Sequence, residues 1–199
     1  SVDGSVNADL AVIFGADMTP RGTGTFDIVN MALGTAPGPI TGLSGTVALT
    51  SLFPVTTAPD QKLSIATFNP GFPLENGDLT YALVPEGVEI SQAVFPLGDG
   101  QVSFDPFTWI YGATENRVTL RVSEVEVGDF LKGVGDGKLS ISGSLEGTIP
   151  VVVRGIDVLV ENGRLAVKNG GVIRYQGDDV SDAITNEYAA QAIEALKAF

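Results

Sequence analysis

The stretch Asp136–Tyr175, DGKLSISGSLEGTIPVVVRGIDVLVENGRLAVKNGGVIRY, decides the fold class. Apolar residues alternate with polar ones at Leu139/Ile141, Ile149/Val151/Val153, Ile156/Val158/Val160 and Leu165/Val167. Turn signals fall at Gly143, Gly147, Gly155, Asn162-Gly163 and Asn169-Gly170-Gly171. A period of two with Gly and Asn-Gly punctuation predicts short antiparallel strands joined by tight turns.

The pattern extends upstream. It predicts strands over Ser5–Phe14, Thr23–Val29, Thr46–Leu52, Lys62–Phe68, Asp78–Val84, Val88–Leu97 and Gln101–Phe104, with the sheet continuing from Trp109 to Val127. Turn signals between them include Pro54, Pro59-Asp60, Asn69-Pro70-Gly71, Asn76-Gly77, Pro85-Glu86-Gly87 and Gly98-Asp99-Gly100. Met31–Thr41, with three Gly/Pro signals, reads as a loop, and Glu126–Val134 as a short non-strand connection. No helical period interrupts the strands, which disfavours a parallel βαβ layout. After Tyr175 the period changes: Val180, Ile184, Tyr188, Ala192, Leu196 and Phe199 recur at spacings of four and three, which predicts one amphipathic helix over residues 178–199.

Composition narrows the function. The 199 residues carry 24 acidic and 11 basic side chains, a net charge of -13, which opposes binding to phosphate backbones. The absence of Cys and His removes thiolate chemistry, the usual neutral-pH general base and the commonest metal ligand. Mean hydropathy is nevertheless +0.25, with 25 Gly and only 18% charged residues, so much apolar surface has to be covered.

Candidate chemistry is weak wherever it is sought. Gly133–Lys138 (GVGDGK) has a Leu where a phosphate loop carries Ser or Thr, and it leads into a strand; it reads as a turn. Asp99 and Asp105 near Trp109 and Tyr111 lack a diagnostic carboxylate spacing, and Glu124 with Glu126 reads as a solvated strand face. Asp178-Asp179 offers oxygen ligands without a calcium loop around it. No cofactor is expected. The alternation itself admits two readings: two sheets packed face to face as a β-sandwich, or one curved sheet whose apolar face lines a groove.

A resemblance bears on that choice. Leu145-Glu146-Gly147-Thr148-Ile149-Pro150-Val151, then Val160-Glu161-Asn162-Gly163-Arg164-Leu165, then Gly170-Gly171-Val172-Ile173-Arg174-Tyr175 before an Ala-rich segment resembles the C-terminal part of YdbH-type ("dicarboxylate transport" domain) proteins, similar to the AsmA and TamB groups. Asn169 stands where that pattern has Pro. Ile40–Gly45, Gln61–Leu63, Val88–Ala93 and Gly98–Val102 resemble the repeated upstream units, Asp99 splitting a Gly-Gly pair; the likeness covers the chain from about residue 40 and is faintest over 1–41.

The resemblance implies a piece of a larger periplasmic protein of the Gram-negative envelope, anchored in the inner membrane through a segment N-terminal to this chain. Its implied partners are phospholipid acyl chains, together with an outer-membrane partner joined by strand augmentation. The implied fold is mainly β: an antiparallel, strongly curved, β-taco-like sheet over 1–177 forming a hydrophobic groove, with the 178–199 helix packed on it. Groove-lining candidates are Leu63, Ile65, Leu79, Tyr81, Leu83, Val118, Leu120, Leu139, Ile141, Val151, Val153, Ile156, Val158, Val160, Leu165 and Val167. The implied activity is non-enzymatic lipid conduction. The rival is a β-sandwich interaction module of an envelope or surface protein. A dicarboxylate substrate would call for convergent Arg or Lys, and the 11 basic residues are scattered.

Overall fold

A computed structural model describes residues 2–16, 18–70, 72–128 and 139–175. Among the described residues thirteen strands form one antiparallel sheet. They are β1 (Val2–Phe14), β2 (Pro20–Thr35), β3 (Gly38–Leu52), β4 (Val55–Thr57), β5 (Gln61–Phe68), β6 (Leu74–Val84), β7 (Gly87–Leu97), β8 (Gly100–Phe104), β9 (Phe107–Ile110), β10 (Asn116–Glu126), β11 (Leu139–Arg154), β12 (Asp157–Val160) and β13 (Arg164–Tyr175). The order β1-β2-β3-β5-β6-β7-β8-β10-β11-β12 is a meander that does not close on itself, since β1 pairs only β2. One sheet corrects the sandwich alternative, which needs two. The predicted helix over 178–199, the Gly133–Lys138 turn and Asp178-Asp179 lie outside the described residues.

One device recurs along the meander. A long strand gives a single edge to two successors: β3 to β4 and β5, β7 to β8 and β9, β11 to β12 and β13. The chain can change partner at these points because a break separates the two successors. Asp105-Pro106 separates β8 from β9, and Asn162, with φ 51, lies between β12 and β13.

Several sequence expectations need correction, and the reasons are local. Met31–Thr41 is strand apart from the two-residue turn at Ala36-Pro37: Thr35 pairs with Gly38 and Gly34 with Pro39. Gly38 is required there because a Cβ would meet the Asn69 carbonyl oxygen, and its φ of 143° suits glycine. Asn76-Gly77 lies within β6, Gly143 and Gly147 within β11, and Asn169–Gly171 within β13. Gly147 marks a close approach and no break, because a Cβ would strike the Arg164 carbonyl on β13. Conversely, the run from Trp109 to Val127 is broken after Ile110. The buried Asn116 side chain holds that corner, accepting from Ile110 N at 2.8 Å and donating to Ile110 O at 3.2 Å.

Two packed clusters make the core. One gathers Ile65, Phe68, Leu74, Phe95, Val102, Val122 and Val125; the other gathers Val47, Leu49, Leu63 and Tyr81. In the first, the rings of Phe68 (β5), Phe95 (β7) and Phe104 (β8) form a near-equilateral triangle with centroids 6.0, 6.2 and 6.3 Å apart. A flat sheet would hold β5 and β8 about 14 Å apart, three strand spacings of ~4.8 Å. The sheet therefore bends toward its apolar side here, and the rings fill the bend.

Candidate functional site

Directly opposed residues of paired strands share a face, so the register can be followed from one edge of the sheet to the other. On β1, Val6, Ala8, Leu10 and Val12 face Ile28, Phe26, Gly24 and Gly22 of β2. Phe26 and Gly24 face Val47 and Leu49 of β3. Leu63 faces Leu79, which faces Ala93, which faces Phe104; Ile65 faces Gly77, and Phe95 faces Val102. Phe104 and Val102 face Leu120 and Val122, which face Ile149 and Gly147. The row ends at Val151–Val160, Val153–Val158 and Gly147–Leu165. One apolar face thus runs the width of the sheet.

Two irregularities keep that face continuous. A Cβ on Gly77 would collide with the Phe95 ring, so the glycine is the floor on which the ring lies. At β10 the register shifts between Val122 and Val125, with Glu124 at φ 54. This bulge returns Val125 to the apolar face, where it is 0% exposed. The predicted set omitted Val125, Phe95, Val102, Phe104 and the whole β1–β2 row. The bulge hides the first from strict alternation; the others stood in predicted strands, and their apolar alternation was the signal available.

Cover over the face is uneven. In the middle, Phe95 is 2% and Val102 1% exposed. At the β1 edge Leu10 is 48% and Val12 46% exposed, and at the far edge Val160 is 64% exposed. Among the predicted lining residues Leu63, Ile65, Tyr81, Val118 and Val153 are buried, while Leu79, Leu83, Leu120, Val151 and Val167 are half-buried. Val158, Val160 and Leu165 are exposed, and Ile156 sits in the β11–β12 turn, outside the row, at 87%. Leu139 and Ile141 pair with Tyr175 and Ile173; their side chains lie outside the described set.

The other face is charged. Each Lys or Arg with a described side chain (Arg21, Lys62, Arg117, Arg121, Arg154, Arg164, Lys168) falls out of phase with the apolar row. Arg121 grips Asp105 through two bonds of 3.0 and 2.9 Å, and Lys168 meets Glu146 at 2.7 Å. Arg154 and Arg117 converge on Glu115 and hold its carboxyl below the usual carboxylate range; Arg117 also reaches Glu161. Arg117, Arg121, Arg154 and Lys168 are thus matched by carboxylates of the chain itself.

Asp105 is engaged by Arg121, and Asp99 occupies the β7–β8 turn. Among the described residues no group of three or more Asp, Glu, His or Cys comes together to hold a metal, and no helix is long and apolar enough to cross a membrane. What the geometry offers is surface: apolar, continuous, and free of cations among the described residues.

The model of the YdbH-like family, described as intermembrane phospholipid transport protein YdbH, matches residues 1–199. No curated protein and no solved structure matches the chain.

Proposed function

The chain belongs to the YdbH-like family, and on that footing we propose that its apolar face carries phospholipid acyl chains between the membranes of a cell envelope. The observation that carries this reading is the register-continuous apolar row, uncovered at β1 and at β12–β13. Acyl chains covering such a row gain about 25 cal/mol per Å² of apolar area buried. Transfer along it needs no bond made or broken, so the role is non-enzymatic. The charged face meets water, and its ion-paired cations give headgroup phosphates little reason to bind there.

In this reading the bend at Phe68, Phe95 and Phe104 is where the sheet begins to form a groove, and the flanks are its open walls. The free edge of β1 is the place for strand augmentation by a partner, because its outer backbone groups lack a neighbour among the described strands. The work is done in the periplasm, with the inner membrane as the anchoring side. The test is native mass spectrometry of the purified chain: co-purifying phospholipid is expected, and a lipid-free chain that takes up none from vesicles refutes the reading.

A further inference from the structure

We infer that Tyr81 donates a hydrogen bond to an ester carbonyl of a bound diacyl phospholipid and so fixes where the lipid sits on the apolar face. The inference deepens the acyl-chain reading and rests on it. Tyr81 stands on β6 between Gln61 and Ile90 and is 4% exposed. Its hydroxyl is buried and has no hydrogen-bond partner among the described residues. The contrast with Asn116 is informative, since that buried amide uses both its oxygen and its nitrogen on Ile110. Leaving a buried donor unmet costs roughly 1–3 kcal/mol, a cost that a simple packing role would avoid with Phe.

The surroundings select the acceptor. Tyr81 packs in the cluster with Val47, Leu49 and Leu63, bordered by half-buried Phe26 and Ile28 of β2, whose register partners on β1 are Ala8 and Val6. The cluster's rim is made of half-buried side chains only, so an acceptor reaches the hydroxyl where one of them gives way. No described cation lies on this face, so a phosphate oxygen would be buried there without a counter-charge. A neutral ester carbonyl suits a single neutral donor among apolar side chains, and in a diacyl lipid it lies at the head of the acyl chains. Burial pushes the phenol up to about 12, so it remains a donor throughout the physiological range.

The test compares two zwitterionic lipids that differ only at that carbonyl. The full chain is incubated with vesicles of diacyl phosphatidylcholine or of its dialkyl-ether analogue, and bound lipid is counted by native mass spectrometry. Wild type is expected to retain the diacyl lipid about five- to tenfold better, as one hydrogen bond of about 1 kcal/mol or slightly more implies. Tyr81→Phe should retain both lipids at the ether level while melting no lower than wild type, and Tyr111→Phe, in an exposed turn, should keep the preference. Equal retention by wild type, the result expected if a buried water serves the hydroxyl, overturns the assignment, as does an undiminished preference in Y81F. Retention of neither lipid overturns the acyl-chain reading itself, and the Tyr81 assignment with it.

Discussion

The middle of the sheet and its two flanks are written in the same alphabet and end differently. Phe95 and Val102 in the middle, and Leu10, Val12 and Val160 at the flanks, occupy the apolar phase of an alternating strand, and the β10 bulge brings Val125 onto the same face. Phe95, Val102 and Val125 are 0–2% exposed, and Leu10, Val12 and Val160 46–64%. Alternation assigns a face, and what lies over the face is decided by curvature, bulges and large side chains from other strands. In the middle the sheet bends and its own phenylalanines fill the bend, so that part of the apolar face contributes stability. At the flanks the same chemistry is left uncovered by the described residues, and it is there that the proposal seats a ligand.

That contrast can be broken in several ways, beginning with the largest effect. Phe95→Ala should cost about 3–5 kcal/mol, whereas Leu10→Ala should stay within about 1 kcal/mol. Urea denaturation of the two variants measures the difference, and equal costs would erase the distinction between middle and flank. Gly77→Val drives a side chain into the Phe95 ring and should cost about 1–3 kcal/mol or more. A neutral result would mean that the ring does not need its glycine floor.

A third prediction uses pH. The Tyr81 phenol is held at about 12 when folded and titrates near 10 when unfolded. Between those values the native state keeps a proton that the unfolded state has lost, so stability falls as pH rises through the window and is fully present below it. The loss attributable to Tyr81 is on the order of 2 kcal/mol and should vanish in Y81F. Denaturation midpoints measured between pH 9 and 12 in both proteins check it. The smallest effect belongs to the charged face: Arg121→Ala removes an exposed pair with Asp105 and should cost less than about 1 kcal/mol, dropping further with added salt.

Much of this was legible in the sequence, because the period of two depends only on which side chains meet water. The strands over Ser5–Phe14 and Lys62–Phe68, and the tight turns at Pro85-Glu86 and Gly98-Asp99, follow from it directly. Glycine was the ambiguous letter. At Gly77 and Gly147 it serves close approach within a strand, and at Gly155 it serves a turn; composition is the same in each case. The partner switch at β3, β7 and β11 depends on long-range register, which no local window contains. Phase marks Leu63 and Val160 alike as lining residues, although one is buried and the other open. Tyr81 was among them as an apolar position; that its hydroxyl goes unmet is visible only once its neighbours are in place.

The most direct measurement is a photo-crosslinking walk along β1, placing a benzophenone side chain at each position from Val6 to Ile13 in the presence of phospholipid vesicles. The account predicts lipid adducts with a period of two, strong at Val6, Ala8, Leu10 and Val12 and weak at Asn7, Asp9, Ala11 and Ile13. Absent labelling, or labelling with no alternation, would contradict the claim that this face carries lipid.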